Sequence, residues 1–281
     1  MKHIVLPTDF SKNSWNAIFT ALKMFATTES QFTLLHAYEP KGGDLLGEKT
    51  KQRLGVLYDS MEGYSQQELD KILAYLEEHH SNDKHRFETL SVQDDLEEAL
   101  EGLLNKSEAD LIVMGTQGAS GTKGIFLGSN TVKVIKKIRN RPILVVPEAF
   151  NFQSLKKVVF PTDYSRPHES GEMLPLREIL LSWKAALLVF YLAQEFELNE
   201  TQLAVKALLG KRLEGIRHSF HEVVRTAPIA EAIADFAEEE GAGMIALVHY
   251  PHTFMEKLTR EPVVKKISFR TQLPLLVLPD H

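Results

Sequence analysis

One stretch occurs twice. His3-Ile4-Val5-Leu6-Pro7-Thr8-Asp9-Phe10-Ser11 is matched 154 residues later by Lys157-Val158-Val159-Phe160-Pro161-Thr162-Asp163-Tyr164-Ser165. A second landmark, Arg141-Pro142-Ile143-Leu144-Val145-Val146-Pro147, is matched 132 residues later by Leu273-Pro274-Leu275-Leu276-Val277-Leu278-Pro279. Two landmarks repeated in the same order point to tandem copies of one domain, the second shorter than the first. Chance supplies a shared Pro-Thr-Asp more readily than it supplies both ends. The boundary falls at residues 148–156, which places one domain at 1–149 and the other at 155–281. So short a connection predicts halves that pack together rather than swing.

Within each copy, apolar runs alternate with helical patterns. The first half reads strand 3–8, helix 12–26, strand 31–38, helix 52–80, strand 85–92, helix 94–106, strand 110–115, helix 129–139 and strand 142–147. The second reads strand 157–162, helix 168–182, strand 185–192, helix 199–216, strand 219–226, helix 228–240, strand 243–249, helix 261–270 and strand 274–278. Strands rich in Val, Ile and Leu that alternate with helices predict an α/β fold, with a parallel sheet covered on both faces. Residues 39–51, with Gly42, Gly43 and Gly47, form an irregular excursion, and Pro175 predicts a late start or a kink in its helix.

The chemistry concentrates after the fourth strand. Leu111-Ile112-Val113-Met114 leads into Gly115-Thr116-Gln117-Gly118, nine residues follow, and Gly128-Ser129 opens the next helix. A strand, a glycine-rich loop and a helix start bring bare N–H groups and the positive end of a helix dipole to one point, where phosphate can bind. Ser129 and Thr131 are candidate hydroxyl donors. The spacing is neither a P-loop nor a dinucleotide fingerprint. On spacing alone, a phosphate site and a purely structural loop remain equal alternatives.

Taken with Leu6-Pro7-Thr8-Asp9-Phe10-Ser11 and the strand Thr33-Leu34-Leu35-His36-Ala37, this motif resembles the universal stress protein family, over essentially the whole chain as two tandem domains. The resemblance implies flavodoxin-like or adenine-nucleotide α-hydrolase-like domains, each with a five-stranded parallel sheet of order 3-2-1-4-5. For members with the glycine motif it also implies ATP binding, alone or with Mg²⁺. Carried over by position, the nucleotide-binding set is Pro7, Thr8, Asp9, Ala37, Met114, Gly115, Gly118, Gly128, Ser129, Asn130 and Thr131. Asp9 and Ala37 fall on the ribose and adenine side, and Gly128, Ser129 and Thr131 in the phosphate cradle. Asn130 stands where the family commonly has Val or a small residue. The location agrees with a general rule: ligands of open parallel sheets bind at the carboxyl ends of strands, where the strand order reverses.

Each of these residues also has a plainer role. Asp9 caps the first helix unless Ser11 does. His36 fits a hydrogen-bonded core histidine, Lys123 a solvated lysine, and Phe126 and Leu127 loop packing. The run Asp94-Asp95-Leu96-Glu97-Glu98 fits a helix start. His79, His80 and His85 lack metal spacing on one helix face.

The second half has lost the motif. Aligned from the fourth strand, Gly115 becomes Val248 and Gly118 becomes Pro251; aligned from the last strand, Gly128 becomes Arg260 and Ser129 becomes Glu261. The expectation is one nucleotide per chain, held by the first half, with the second half as an intramolecular pseudo-dimer partner. In the resembling family single domains pair through their last strands, so residues 143–146 and 275–278 are expected to run antiparallel. A further homodimer is left open.

A net charge of -6 implies no attraction to nucleic acid or anionic membrane, and the absence of cysteine excludes disulfides and thiol catalysis. No apolar stretch approaches membrane-spanning length, and the expected location is the cytoplasm. The leading expectation is an ATP-binding stress-response protein that signals to a protein partner the sequence does not identify. The alternatives are a slow ATPase or phosphotransferase and a nucleotide-free scaffold.

Overall fold

The computed structural model describes residues 1–38, 48–116, 127–193, 198–224, 229–248 and 272–279. The first half runs β1 (Lys2–Pro7), α1 (Lys12–Met24), β2 (Ser30–Ala37), α2 (Glu48–His79), β3 (His85–Val92), α3 (Leu96–Leu104), β4 (Leu111–Gly115), α4 (Ser129–Lys137) and β5 (Ile143–Val146). The second runs β6 (Lys157–Thr162), α5 (Ser170–Trp183), β7 (Ala186–Ala193), α6 (Glu200–Arg212), β8 (His218–Val224), α7 (Ile229–Glu239), β9 (Met244–Val248) and β10 (Leu275–Leu278).

The ten strands of the described residues form one sheet, ordered β3-β2-β1-β4-β5-β10-β9-β6-β7-β8. Each half therefore has the order 3-2-1-4-5, and the whole reads as a palindrome. Neighbours within a half are parallel. The seam between halves is antiparallel, with Leu275 opposite Val145, Leu276 opposite Leu144 and Val277 opposite Ile143. Pairing these two strands covers what would otherwise be two exposed sheet edges.

Side chains alternate across the strands and feed two cores. Ile4, Leu6, Leu144 and Val146 point to the layer of α1, α2, α5 and α6, while Val5, Ile143 and Val145 point to the layer of α3, α4 and α7. Both cores run through both halves. That two-sided burial explains why the strands read as nearly unbroken apolar runs.

The segment joining the halves is a packed element. Phe152 is 2% exposed and Leu155 1%. Burying a side chain of this size contributes roughly 1.5–3 kcal/mol, so two such anchors hold the connection down. Asn16 Nδ2 also donates to the carbonyls of Pro147 (2.8 Å) and Phe150 (2.7 Å).

Local details depart from the sequence pattern in four places. Residues 48–51 of the expected excursion belong to α2, and 39–47 lie outside the described residues. α3 begins at Leu96 rather than 94, because Asp95 serves as its N-cap. α6 closes at Arg212 rather than 216, ahead of Gly215, whose φ of +80° ends the helical path. α5 starts at Ser170 and carries Pro175 inside it. The helix expected at 261–270 lies outside the described residues.

Candidate nucleotide site

The strand order reverses between β1 and β4, which pair through Ile4 with Leu111 and Val5 with Ile112. Their carboxyl ends, Pro7-Thr8-Asp9 and Met114-Gly115-Thr116, therefore lie side by side at the switch point, with Ala37 on the adjoining strand. Gly128 N–H donates to the Thr116 carbonyl at 2.6 Å and brings the start of α4 to the same edge. Gly118 and Lys123 lie outside the described residues. The other sequence-derived candidates converge on this one corner of the sheet.

The turn after β1 explains the repeated Thr-Asp. Phe10 has φ +64° and Tyr164 φ +54°. Left-handed backbone costs a bulky residue roughly 1–2 kcal/mol. In each half the two preceding side chains stabilise the turn. Phe10 N–H donates to Thr8 Oγ1 (3.1 Å) and Ser11 N–H to Asp9 Oδ1 (3.2 Å). Tyr164 N–H donates to Thr162 Oγ1 (3.1 Å) and Ser165 N–H to Asp163 Oδ1 (2.9 Å). Capping of α1 falls to Ser11, whose Oγ accepts from Ser14 N–H at 3.2 Å. His36 is a half-buried, hydrogen-bonded residue: its Nδ1 is 2.8 Å from Ser65 Oγ, and its ring lies 4.4 Å from that of Phe10. Burial holds its pKa below the usual histidine value, against the opposing pull of the Asp9 charge.

Two residues outside the sequence-derived set brace the corner. Asn13, 2% exposed, donates from Nδ2 to the Val146 carbonyl (2.9 Å) and accepts on Oδ1 from Thr116 Oγ1 (3.2 Å). It lies on the stripe of α1 that otherwise buries Ala17, Ala21 and Met24. A polar residue on an apolar stripe was the available signal. A Cβ at Gly115 would stand 2.6 Å from Asn13 Oδ1, so that glycine is needed for packing against α1.

Thr131 departs from its expected role. It is 2% exposed, and its hydroxyl donates to the carbonyls of Gly115 and Thr116, each at 3.1 Å. A hydroxyl has one proton. In this arrangement the group ties α4 to the end of β4 instead of presenting a donor to a phosphate.

The start of α4 differs from that of α1. Its N-cap is Gly128, which makes no side-chain cap, and its first turn carries no acid. Ser129 and Asn130 are exposed. Among the described residues, the first-turn N–H groups, which no helix satisfies internally, thus receive no capping side chain, and no first-turn acid meets the positive dipole end. Lys136 and Lys137 occupy the last turn, and Lys133 and Lys137 pair with Glu97, Glu98 and Glu101 of α3.

The matching corner of the second half is built otherwise. β6 and β9 keep the same register, Val158 with Met244 and Val159 with Ile245, and Val248 stands at the position of Gly115. At the 154-residue offset Asn13 is replaced by Pro167 and Ser14 by His168. Thr8 Oγ1 meets Ser14 Oγ at 3.0 Å, and Thr162 Oγ1 meets His168 Nε2 at 3.3 Å. Beside His168 lies Glu172, fully buried and paired with Arg166 at 2.8 Å. His168 Nδ1 stands 3.9 Å from Glu172 Oε2, too far for a hydrogen bond, and has no hydrogen-bond partner among the described residues. Burial, helped by the Arg166 charge, pushes the His168 pKa down to about 4. Pro251, Arg260 and Glu261 lie outside the described residues. Among the described residues no group of three His, Asp or Glu side chains forms a metal site, and no helix is long and apolar enough to cross a membrane.

This architecture has solved counterparts. A universal stress protein from Archaeoglobus fulgidus DSM 4304 superposes with a TM-score of 0.67 at 17% identity, covering 99% of this chain and 98% of that one. The functionally unknown protein PA1789 from Pseudomonas aeruginosa PAO1 gives 0.62 at 15% identity, covering 99% and 92%. At such identities the likeness establishes the fold alone. In sequence, residues aligned over a 161-residue match are 30% identical to universal stress protein MJ0577 from Methanocaldococcus jannaschii, covering 52% of this chain and 94% of that protein. The model of the universal stress protein family matches residues 1–147, more than half of the length and the part that holds the strand–glycine–helix corner. By that match the chain belongs to the universal stress protein family.

Proposed function

We propose that the chain is a nucleotide-binding stress-response protein that holds one ATP at the β1–β4 switch point of its first half. The carrying observation is the start of α4: a glycine N-cap, no side-chain cap and no acid in the first turn. Such a terminus suits a polyphosphate, because unsatisfied N–H groups and the dipole both favour negative charge. Gly128, Ser129 and Asn130 would face the phosphates, with Gly118 in the same loop, and Pro7, Thr8, Asp9, Ala37, Met114 and Gly115 would frame the ribose and base. Thr131 supports the cradle from behind. Mg²⁺, where used, would arrive on the phosphate oxygens, as it commonly does for nucleotides.

The second half, residues 155–281, acts in this reading as a structural partner to residues 1–149. Val248 in place of Gly115 and the buried Glu172 carboxylate support the asymmetry. The seam between β5 and β10 then supplies internally the pairing that separate domains would need two chains to make. Titration calorimetry with ATP tests the proposal. One site per chain is expected, with stabilisation of about 2.7 kcal/mol at a hundredfold excess over Kd. Two equivalent sites would refute the asymmetry, and neither heat nor stabilisation would refute binding.

A further inference from the structure

A cavity of about 150 Å³ lies between the halves, at the opposite end of the strands from the candidate nucleotide site. Its apolar wall includes Met24, Leu111 and Pro142 from the first half and Leu174, Ile179 and Trp183 from α5. An apolar cavity of this size is large enough for a benzene ring.

The palindromic sheet gives each half a groove between its own strand starts and the first helix of the other half. One groove is filled. Along α1 runs the connecting segment, held by Asn16 at the Pro147 and Phe150 carbonyls and by Lys23 Nζ at Asn151 Oδ1 and the Phe152 carbonyl, both 3.3 Å. Phe152 buries its ring edge-on against Trp183, with centroids 5.1 Å apart. The cavity is the counterpart along α5. The aromatic wall remains, because Trp183 borders both grooves and is fixed by its Nε1–H donating to the Met24 carbonyl at 3.1 Å.

Charge narrows the occupant. Three ionised side chains line the rim: Lys2, Glu178 and Asp110. Lys2 and Glu178 neutralise one another at 2.6 Å. Asp110 is exposed, with Oδ2 accepting from the His3 backbone N–H at 2.7 Å, and its negative charge is left in excess. We propose that this cavity is a second ligand site, which takes a small primary ammonium compound carrying one aromatic ring. The ring stands where the twin groove places Phe152, and the ammonium meets Asp110 with the Trp183 face beside it.

The chain has two tryptophans, so ¹H–¹⁵N spectra show two indole N–H signals, assigned with Trp15→Phe. The probes are 2-phenylethylammonium, ethylbenzene and phenylacetate, added to the full chain without nucleotide. A saturable shift of the Trp183 signal is expected, tightest for the ammonium compound and weakest for the carboxylate. Asp110→Asn should weaken 2-phenylethylammonium several-fold and leave ethylbenzene unchanged. Ser182→Phe, at an exposed wall position, should remove the response to all three. No saturable shift, or an undiminished one in Ser182→Phe, overturns the site. Ethylbenzene binding as tightly as the ammonium compound overturns the proposed ligand class.

Discussion

Asn13 and Gly115, 102 positions apart in sequence, share one packing space: the amide of the first fills the volume that a β-carbon on the second would need. Asn13 is anchored at both ends, to the Val146 carbonyl and by the Thr116 hydroxyl, so that moving aside would disturb these bonds. The glycine is therefore held in place by α1, whether or not a ligand is bound.

Gly115→Ala should destabilise the chain by about 1–3 kcal/mol, the usual range for overpacking. Asn13→Ala should be destabilising alone, and the double variant should lose less than the two single losses combined. Urea denaturation of all four proteins measures the coupling. Strict additivity would mean that the two residues do not compete for this space.

Thr131→Val removes one hydroxyl and leaves the two carbonyls it served. A loss of about 0.5–1.5 kcal/mol is expected for the lost hydrogen bond, since the Thr116 carbonyl keeps the Gly128 N–H, with recovery in Thr131→Ser. If Thr131 only braces the corner, the valine variant should still bind ATP at saturating nucleotide. Complete loss of binding by a folded valine variant would instead place its hydroxyl on the ligand.

Asn130→Asp puts a carboxylate in the first turn of α4. Opposite signs are expected: the ligand-free protein gains about 0.3–1 kcal/mol from the dipole, while ATP binds several-fold more weakly. Thermal denaturation and calorimetry read the two effects separately. Unchanged affinity would move the phosphates away from this helix.

His168 makes stability depend on pH. Its pKa falls from 6.5 in the unfolded chain to about 4 in the folded protein. Between those values the unfolded state binds more protons, so this contribution is complete above pH 6.5 and is lost as pH falls toward 4. The full difference amounts to roughly 3 kcal/mol. His168→Gln should flatten that part of the profile. Burial also lowers His36 and His80 in the same direction, so the difference between wild type and variant is the quantity to read. Identical slopes would show that His168 is reached by solvent in the folded state.

Much of this was legible in the residues. The repeated Pro-Thr-Asp pointed to tandem copies of one domain, and the structure explains it by side-chain bonds that are local in sequence, Thr8 to Phe10 and Asp9 to Ser11. The antiparallel seam was implied by the family resemblance, carried onto the two short apolar runs that each end a half. Thr131 is expected from the sequence in the phosphate cradle, and the structure has its hydroxyl donate to the carbonyls of Gly115 and Thr116. Its position follows from helix spacing, but its proton goes to carbonyls 15 and 16 residues away, which spacing does not encode.

By itself the amino-acid order determined the element sequence, the duplication, the two-sided burial of the sheet and the corner where glycines meet a helix start. These arise from periodicity and from contacts between near neighbours. Only the tertiary structure decided that Asn13 reserves the space beside Gly115, that Glu172 and His168 occupy the second corner, and that the connecting segment fills one of two equivalent grooves. Each of those outcomes depends on side chains from separate elements brought within a few ångströms, and that proximity exists only after the strands have paired in register.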